Sequence, residues 1–213
     1  MALFPTDTLL AYLAACAVIV VSPGPDNLLA IGRGLSQGWL AAVLSSLGAG
    51  IGILCHTLAA SFGLSLLIQG SPQAFWAVKL VGAAYLLWLG GQALWAGKLV
   101  SFAPAARLPL RRVLSTGVLS NLLNPKPGLF VLAFVPQFVD AGRGPVVVQM
   151  LVYGAIFAAM TTLVFALMGG FAVRLAQGPR QRPRVVRALN TGAGLTFIAA
   201  GLSVLALKQR SAV

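Results

Sequence analysis

Two apolar stretches of this chain are each long enough to cross a bilayer as a helix, yet both carry prolines in their interiors. The first includes VSPGPDNLLAIGRG from 21 to 34, where Pro23, Gly24 and Pro25 are followed by Asp26 and Asn27. The second includes NLLNPKPGLF from 121 to 130, where Asn124 precedes Pro125, Lys126 and Pro127. Proline lacks an amide hydrogen and clashes with the preceding turn. It also drives the residue before it away from helical angles. Both helices should therefore break. Bare backbone at membrane depth persists only where it is buried in protein or lines a cavity. Asp26, Asn27 and Asn124 suit the restarts, because Asp and Asn are favoured N-caps whose side chains accept from freed amides. A plain kink is the alternative at either break taken alone.

Only 8% of the 213 residues are charged and 59% are hydrophobic, whereas a soluble domain carries about 25% charged residues. So few charges cannot cover a water-facing surface. A spanning helix needs about 20 apolar residues, and six runs qualify, at 8–31, 40–68, 74–95, 113–139, 146–171 and 185–207. The gaps are too short for a soluble domain. The expected fold is an all-α membrane protein of six transmembrane helices in one domain, 1–213, with helices one and four broken. The N-terminus lacks the basic region of a secretory signal, so it counts as the first span. Basic residues mark cytoplasmic loops. The first, third and fifth gaps hold ten of them and the remaining gaps and termini three. Those odd gaps should be cytoplasmic and both termini outside. The net charge of +12 thus belongs to topology; no basic module interleaved with aromatics points to nucleic acid.

The halves, about 1–100 and 110–213, look related. Pro23-x-Pro25 is matched by Pro125-x-Pro127, and Gly82, Ala83, Gly91 and Lys98 align with Gly192, Ala193, Gly201 and Lys208. Two three-span halves must lie in opposite orientations, an inverted 3+3 repeat. Such repeats, with broken helices in corresponding positions, are a hallmark of secondary transporters and point to their binding sites.

Asp26, Lys79 and Lys126 are ionisable groups inside apolar runs. Each would cost about 2.5–3.5 kcal/mol at the centre of a lipid-facing helix, so they should share an interior. An internal salt bridge that only pins helices would satisfy this. A polar cavity for a zwitterionic solute would satisfy it too, with a carboxylate for an ammonium group and lysines and half-helix N-termini for a carboxylate. His56 is a candidate proton relay with Asp26, or a structural hydrogen-bonding residue. Gly48-x-x-x-Gly52 permits close helix packing, internal or in a homodimer. Cys16 and Cys55 read as small hydrophobes, and no set of metal ligands appears. No phosphate-binding loop, cofactor motif or catalytic triad is present, so an enzyme is not expected. An oligomeric passive channel for an ion or solute is the alternative to a carrier; it would need Asp26 repeated around a pore.

The stretches SPGPDNLLAIGRGLSQGWLAA (22–42), KLVGAAYLLWLG (79–90) and GVLSNLLNPKPGLFVLAFVPQFV (117–139) resemble the LysE/RhtB family of amino-acid exporters. The resemblance implies a small bacterial inner-membrane protein that exports amino acids or derivatives such as threonine, homoserine or leucine, by proton coupling or exchange. It implies a proline–glycine–proline break at Pro23, Gly24 and Pro25, a substrate- or proton-handling acid at Asp26 beside Asn27, a lysine at Lys79, and an asparagine–proline–lysine motif at Asn124, Pro125 and Lys126. One carboxylate and two lysines favour a neutral amino acid over a dicationic one. The topology is testable with reporters. Alkaline phosphatase fused after Val213 is expected to be active and a green fluorescent protein fusion dark, with the opposite result after Lys98.

Overall fold

A computed structural model of the chain describes residues 3–22, 24–70 and 107–176 continuously, with isolated helical positions at 77, 80, 84, 87, 88, 91, 191, 195, 198 and 202. Pro23, Lys79 and most of the third and sixth expected spans lie outside the described residues. Every regular element among the described residues is helical.

Helix α1 (Thr6–Val21) has 16 residues, about 24 Å at 1.5 Å per residue, short of the ~30 Å apolar core of a bilayer. Helix α2 (Pro25–Gln37) completes it after a bend of 59°. Helix α3 (Trp39–Gly70) follows after one residue, Gly38, whose φ of 86° is open to glycine at little cost. Helix α4 (Leu110–Leu123) gives way to α5 (Pro125–Leu129), and the two limbs of this pair are bent by 54°. The chain then widens into a π-helical turn, Phe130–Phe134, and tightens into a 3₁₀ turn, Val135–Phe138. Pro136 accounts for the change, since it cannot donate to the carbonyl four residues back. Helix α6 (Val146–Ala176) is unbroken. Helices α3 and α6 each contain a segment apolar and long enough to cross a membrane alone, and the two bent pairs qualify as one broken span each.

Helix α3 is the central post, flanked by α4 and α6. Small residues set the spacing. A Cβ on Gly48 would lie 2.5 Å from the Leu114 carbonyl oxygen, and one on Gly117 would lie 2.5 Å from that of Ser45. On the α6 side, Gly154 leaves room for Thr57. The Gly48-x-x-x-Gly52 stripe is therefore occupied by α4 within the chain and is not an open dimer face. Cys16 is buried, but Cys55 is exposed on the outside of α3, not packed as a small core residue. Arg33, expected in the first gap, is buried in α2, because that gap is helical up to Gln37. Losing it from the loop count leaves nine basic residues against three, so the expected orientation is unchanged.

The main core cluster gathers Tyr12, Ile19, Phe130, Phe134, Tyr153 and Phe157 with their neighbours. Its rings pack in tilted contacts, as in Phe130–Phe157 at 4.7 Å and Tyr12–Tyr153 at 4.5 Å between centroids. Tyr12 Oη donates to the Tyr153 carbonyl at 2.7 Å, which ties α1 to α6. At the other end the Gln37 side chain donates to the Leu108 carbonyl at 2.7 Å and accepts from the Leu108 amide at 2.9 Å. That pair joins the end of α2 to the approach of α4. Gly48→Ala is expected to lower the thermal midpoint in detergent by the equivalent of about 1–3 kcal/mol. Gly63→Ala, whose new Cβ meets nothing within 4 Å, should leave it unchanged or raise it. An unchanged midpoint in Gly48→Ala would mean that α3 and α4 are not in backbone contact.

Candidate functional site

The two breaks face each other. At the first, α1 ends at Val21 and the Ser22 carbonyl is left without a helical partner. It receives Asn27 Nδ2 at 3.0 Å and Lys126 Nζ at 2.7 Å. Asn27 also turns back, accepting from the Gly24 amide at 2.7 Å. The cap is thus supplied from the third position of α2, and Gly24 takes the N-cap place. Asp26 and Asn27 do not act as N-caps themselves, because Pro25 already begins the helix, as its fixed φ allows. At the second break the Asn121 carbonyl receives the Asn124 amide at 3.1 Å and lies 3.2 Å from His56 Nε2. A carbonyl only accepts, so His56 Nε2 carries a hydrogen. Asn124 caps α5 by accepting from the Lys126 amide at 3.0 Å. Each break therefore has its terminal carbonyl held by two donors and an early amide held by an asparagine. The amides at Gly24 and Lys126 are thereby engaged within the protein.

Freed from capping, the Asp26 carboxylate reaches across to the other broken helix. Oδ1 accepts from Ser120 Oγ at 2.6 Å, and Oδ2 accepts from Asn121 Nδ2 at 2.7 Å and Asn124 Nδ2 at 2.9 Å. Asp26, Asn27, Asn121, Asn124, Lys126 and Ser22 are all buried. Hydrogen bonds to a charged group contribute about 1.5–3 kcal/mol each, and a buried carboxylate left without them would cost more than that. These three donors are neutral: they solvate the charge without cancelling it. Two glycines make the room. A Cβ on Gly24 would come within 3.2 Å of Lys126 Nζ, and one on Gly52 within 2.6 Å of Asn121 Oδ1. Gly128 does the same for the His56 ring, at 3.1 Å.

A cavity of about 20 Å³ lies between the breaks. It holds room for about one water molecule, far below the ~300 Å³ of the smaller ligand pockets. Asp26, Asn27, Asn121, Asn124, Lys126 and Gly24 form its polar wall, and Ile19, Val20, Ile53, Phe157 and Phe165 the apolar one, with Thr161 among them. The geometry thus gathers Gly24, Asp26, Asn27, Asn124, Lys126 and Pro127 at one place, and Pro125 at the α5 start. His56 does not line the cavity; it stands behind the second break. Sequence reasoning missed Ser22, Ser120, Asn121 and Thr161. The polar cluster S120-N121 just ahead of the Asn124 break was a readable signal for two of them. Ser22 acts through its carbonyl, and Thr161 sits in an unmarked apolar helix. Asp140 caps a short turn, accepting from the Gly142 amide and pairing with Arg143 at 2.9 Å, away from the cavity.

A polytopic helical membrane protein with two broken helices that meet at a buried carboxylate and lysine is the architecture expected of a secondary transporter. The LysE type translocator family matches residues 17–208, and the chain belongs to that family. It is 32% identical to an uncharacterized membrane protein of Vibrio cholerae, covering 93% of this chain and 97% of that one. It is 31% identical to a homoserine/homoserine lactone efflux protein of Salmonella typhimurium, covering 90% and 92%. It is 30% identical to a leucine efflux protein of Klebsiella pneumoniae, covering 89% and 90%. No solved structure matches the chain.

The shared carboxylate makes Asp26 and Asn121 energetically coupled. In a double-mutant cycle, Asp26→Ala and Asn121→Ala are expected to be non-additive by about 1–3 kcal/mol, measured by unfolding in detergent. Strict additivity would remove the hydrogen bond between them.

Proposed function

We propose that this chain is a secondary active exporter of neutral amino acids or close derivatives across the bacterial inner membrane. The relatives named as homoserine and leucine efflux proteins support that class of cargo. The observation that carries the reading is the Asp26 carboxylate of one broken helix hydrogen-bonded by Ser120, Asn121 and Asn124 of the other, beside Lys126 on the same cavity. An ammonium group of a substrate would bring Asp26 the opposite charge those donors lack. Lys126, and Lys79 from the third span, would take the substrate carboxylate.

The reading has six spans in an inverted 3+3 arrangement, with the odd loops in the cytoplasm and both termini outside. Packed contacts lie to either side of the cavity. Tyr12, Phe134, Phe138 and Tyr153 pack toward the N-terminal end of α1, and the Gln37–Leu108 pair joins the opposite ends. An amino acid cannot fit a space of about 20 Å³, so the broken helices must part to load it. Substrate enters from the cytoplasm, replaces part of the Asp26 and Lys126 hydrogen bonding, and leaves outward when the aromatic layer opens. Asp26, not His56, carries the coupling proton: it faces the cavity, while His56 is committed to the Asn121 carbonyl. A proton on Asp26 would stand in for the departed ammonium during the return, which gives antiport. A site too small for its cargo until the broken helices part fits a carrier better than a passive channel.

The test is counterflow in proteoliposomes loaded with single unlabelled amino acids. Saturable uptake of labelled amino acid is expected from wild type, with a loss of tenfold or more in Asp26→Asn recovered as folded protein. Flux without saturation or exchange would favour a channel. Wild-type counterflow rates in Asp26→Asn would remove Asp26 from the mechanism.

A further inference from the structure

The apolar part of the cavity lining comes from α1, α3 and α6, and on α6 Phe157, Thr161 and Phe165 recur at four-residue intervals and so share one face. Two are aromatic. The third carries a hydroxyl buried to 3% exposure that has no hydrogen-bond partner. Buried hydroxyls on a helix usually donate to the carbonyl four residues back. In this protein Ser46, Thr57 and Ser61 do so, at 2.8, 2.8 and 2.7 Å. Thr161 does not, although its neighbour Thr162 faces α3 and approaches the Ser46 carbonyl. A hydroxyl that gives up its local acceptor, on an otherwise apolar wall of a cavity, is a group waiting for a partner. Asn121 Oδ1, on the polar side of the same cavity, is likewise buried without one. Its amide is oriented by the Nδ2 bond to Asp26, so the oxygen can only be the acceptor.

We propose that Thr161 reads the substrate's side chain, selecting amino acids that carry a hydroxyl over their hydrocarbon counterparts. The proposal rests on the exporter reading above. With the substrate's charged head on Asp26 and Lys126, the apolar lining is left for its side chain, and Thr161 is the hydroxyl in that lining. Phe157 and Phe165 accept the methylenes, and Thr161 Oγ1 exchanges a hydrogen bond with a terminal hydroxyl. A purely aliphatic side chain would fit the same space but leave the Thr161 hydroxyl dry, and a buried polar group without a partner is the usual source of discrimination against an analogue lacking it.

The experiment compares near-isosteric pairs, homoserine with norvaline and threonine with valine, as competing substrates in proteoliposome counterflow. Wild type is expected to favour the hydroxylated member of a pair. Thr161→Val, which keeps the shape and removes the hydroxyl, should reduce that preference about three- to tenfold, mostly by gaining the hydrocarbon substrate. Thr161→Ser restores the hydroxyl and should keep the preference. A Thr161→Val preference equal to wild type, or a wild type indifferent to the hydroxyl, overturns this proposal while leaving the exporter intact. Absence of counterflow with any amino acid in the folded wild-type protein overturns both, and identifies the exporter reading as the one at fault. If Thr161→Val is recovered unfolded, Thr161→Ala and the Ser variant decide between the same outcomes.

Discussion

The structure turns on one carboxylate taken out of water. Asp26 sits inside a membrane protein where an isolated charge would be costly, and α4 meets it with Ser120, Asn121 and Asn124. Those donors are in reach only because α4 ends at Asn124 and α2 begins at Pro25. The two breaks and the charge are thus one arrangement. Straightening either helix would carry its polar groups away from the other and leave both halves with unsatisfied backbone. Small residues maintain the approach, with Gly24 admitting Lys126 and Gly52 admitting Asn121.

The same economy explains why the cavity is so small. Each broken end is satisfied by a side chain from a neighbouring element: Lys126 and Asn27 on the Ser22 carbonyl, His56 on that of Asn121. Little is left over for a ligand except the charge character of Asp26 and Lys126 and the unpartnered oxygens of Thr161 and Asn121. A substrate bearing both an ammonium and a carboxylate can exchange for several of these bonds at once. In our reading that exchange keeps the cost of opening low, because bonds broken within the protein are remade with the substrate.

Much of this was legible beforehand, and the misses have physical causes. Proline chemistry is local, so both breaks were placed correctly from the residues alone. Asp26, Lys79 and Lys126, the ionisable groups within apolar runs, were expected to share an interior; Asp26 and Lys126 do, and Lys79 lies outside the described residues. The cap at the first break was misassigned to Asp26 and Asn27 as N-caps, because proline at the first helical position moved the start one residue earlier and let Asn27 cap from inside the helix. Arg33 was taken for a loop residue because a one-glycine turn at Gly38 leaves no loop. His56 reads from sequence as a structural hydrogen-bonding residue or a proton relay, and its Nε2 lies 3.2 Å from the Asn121 carbonyl.

The sequence by itself determined that the chain lives in a bilayer, that two of its helices must break, and that an acid and a lysine must hide together, because proline geometry and the cost of a charge in hydrocarbon depend on the residues themselves. Only the tertiary structure decided which donors Asp26 would find, that Gly48 and Gly52 pack against α4, and that Thr161 faces the cavity while Thr57 and Ser61 turn back on their own helix. Those choices depend on which helix faces come together, and an apolar helix with little amphipathic pattern does not announce its faces. In water a polar stripe marks the outside; in lipid the outside is as apolar as the core, so partner and orientation are settled by packing.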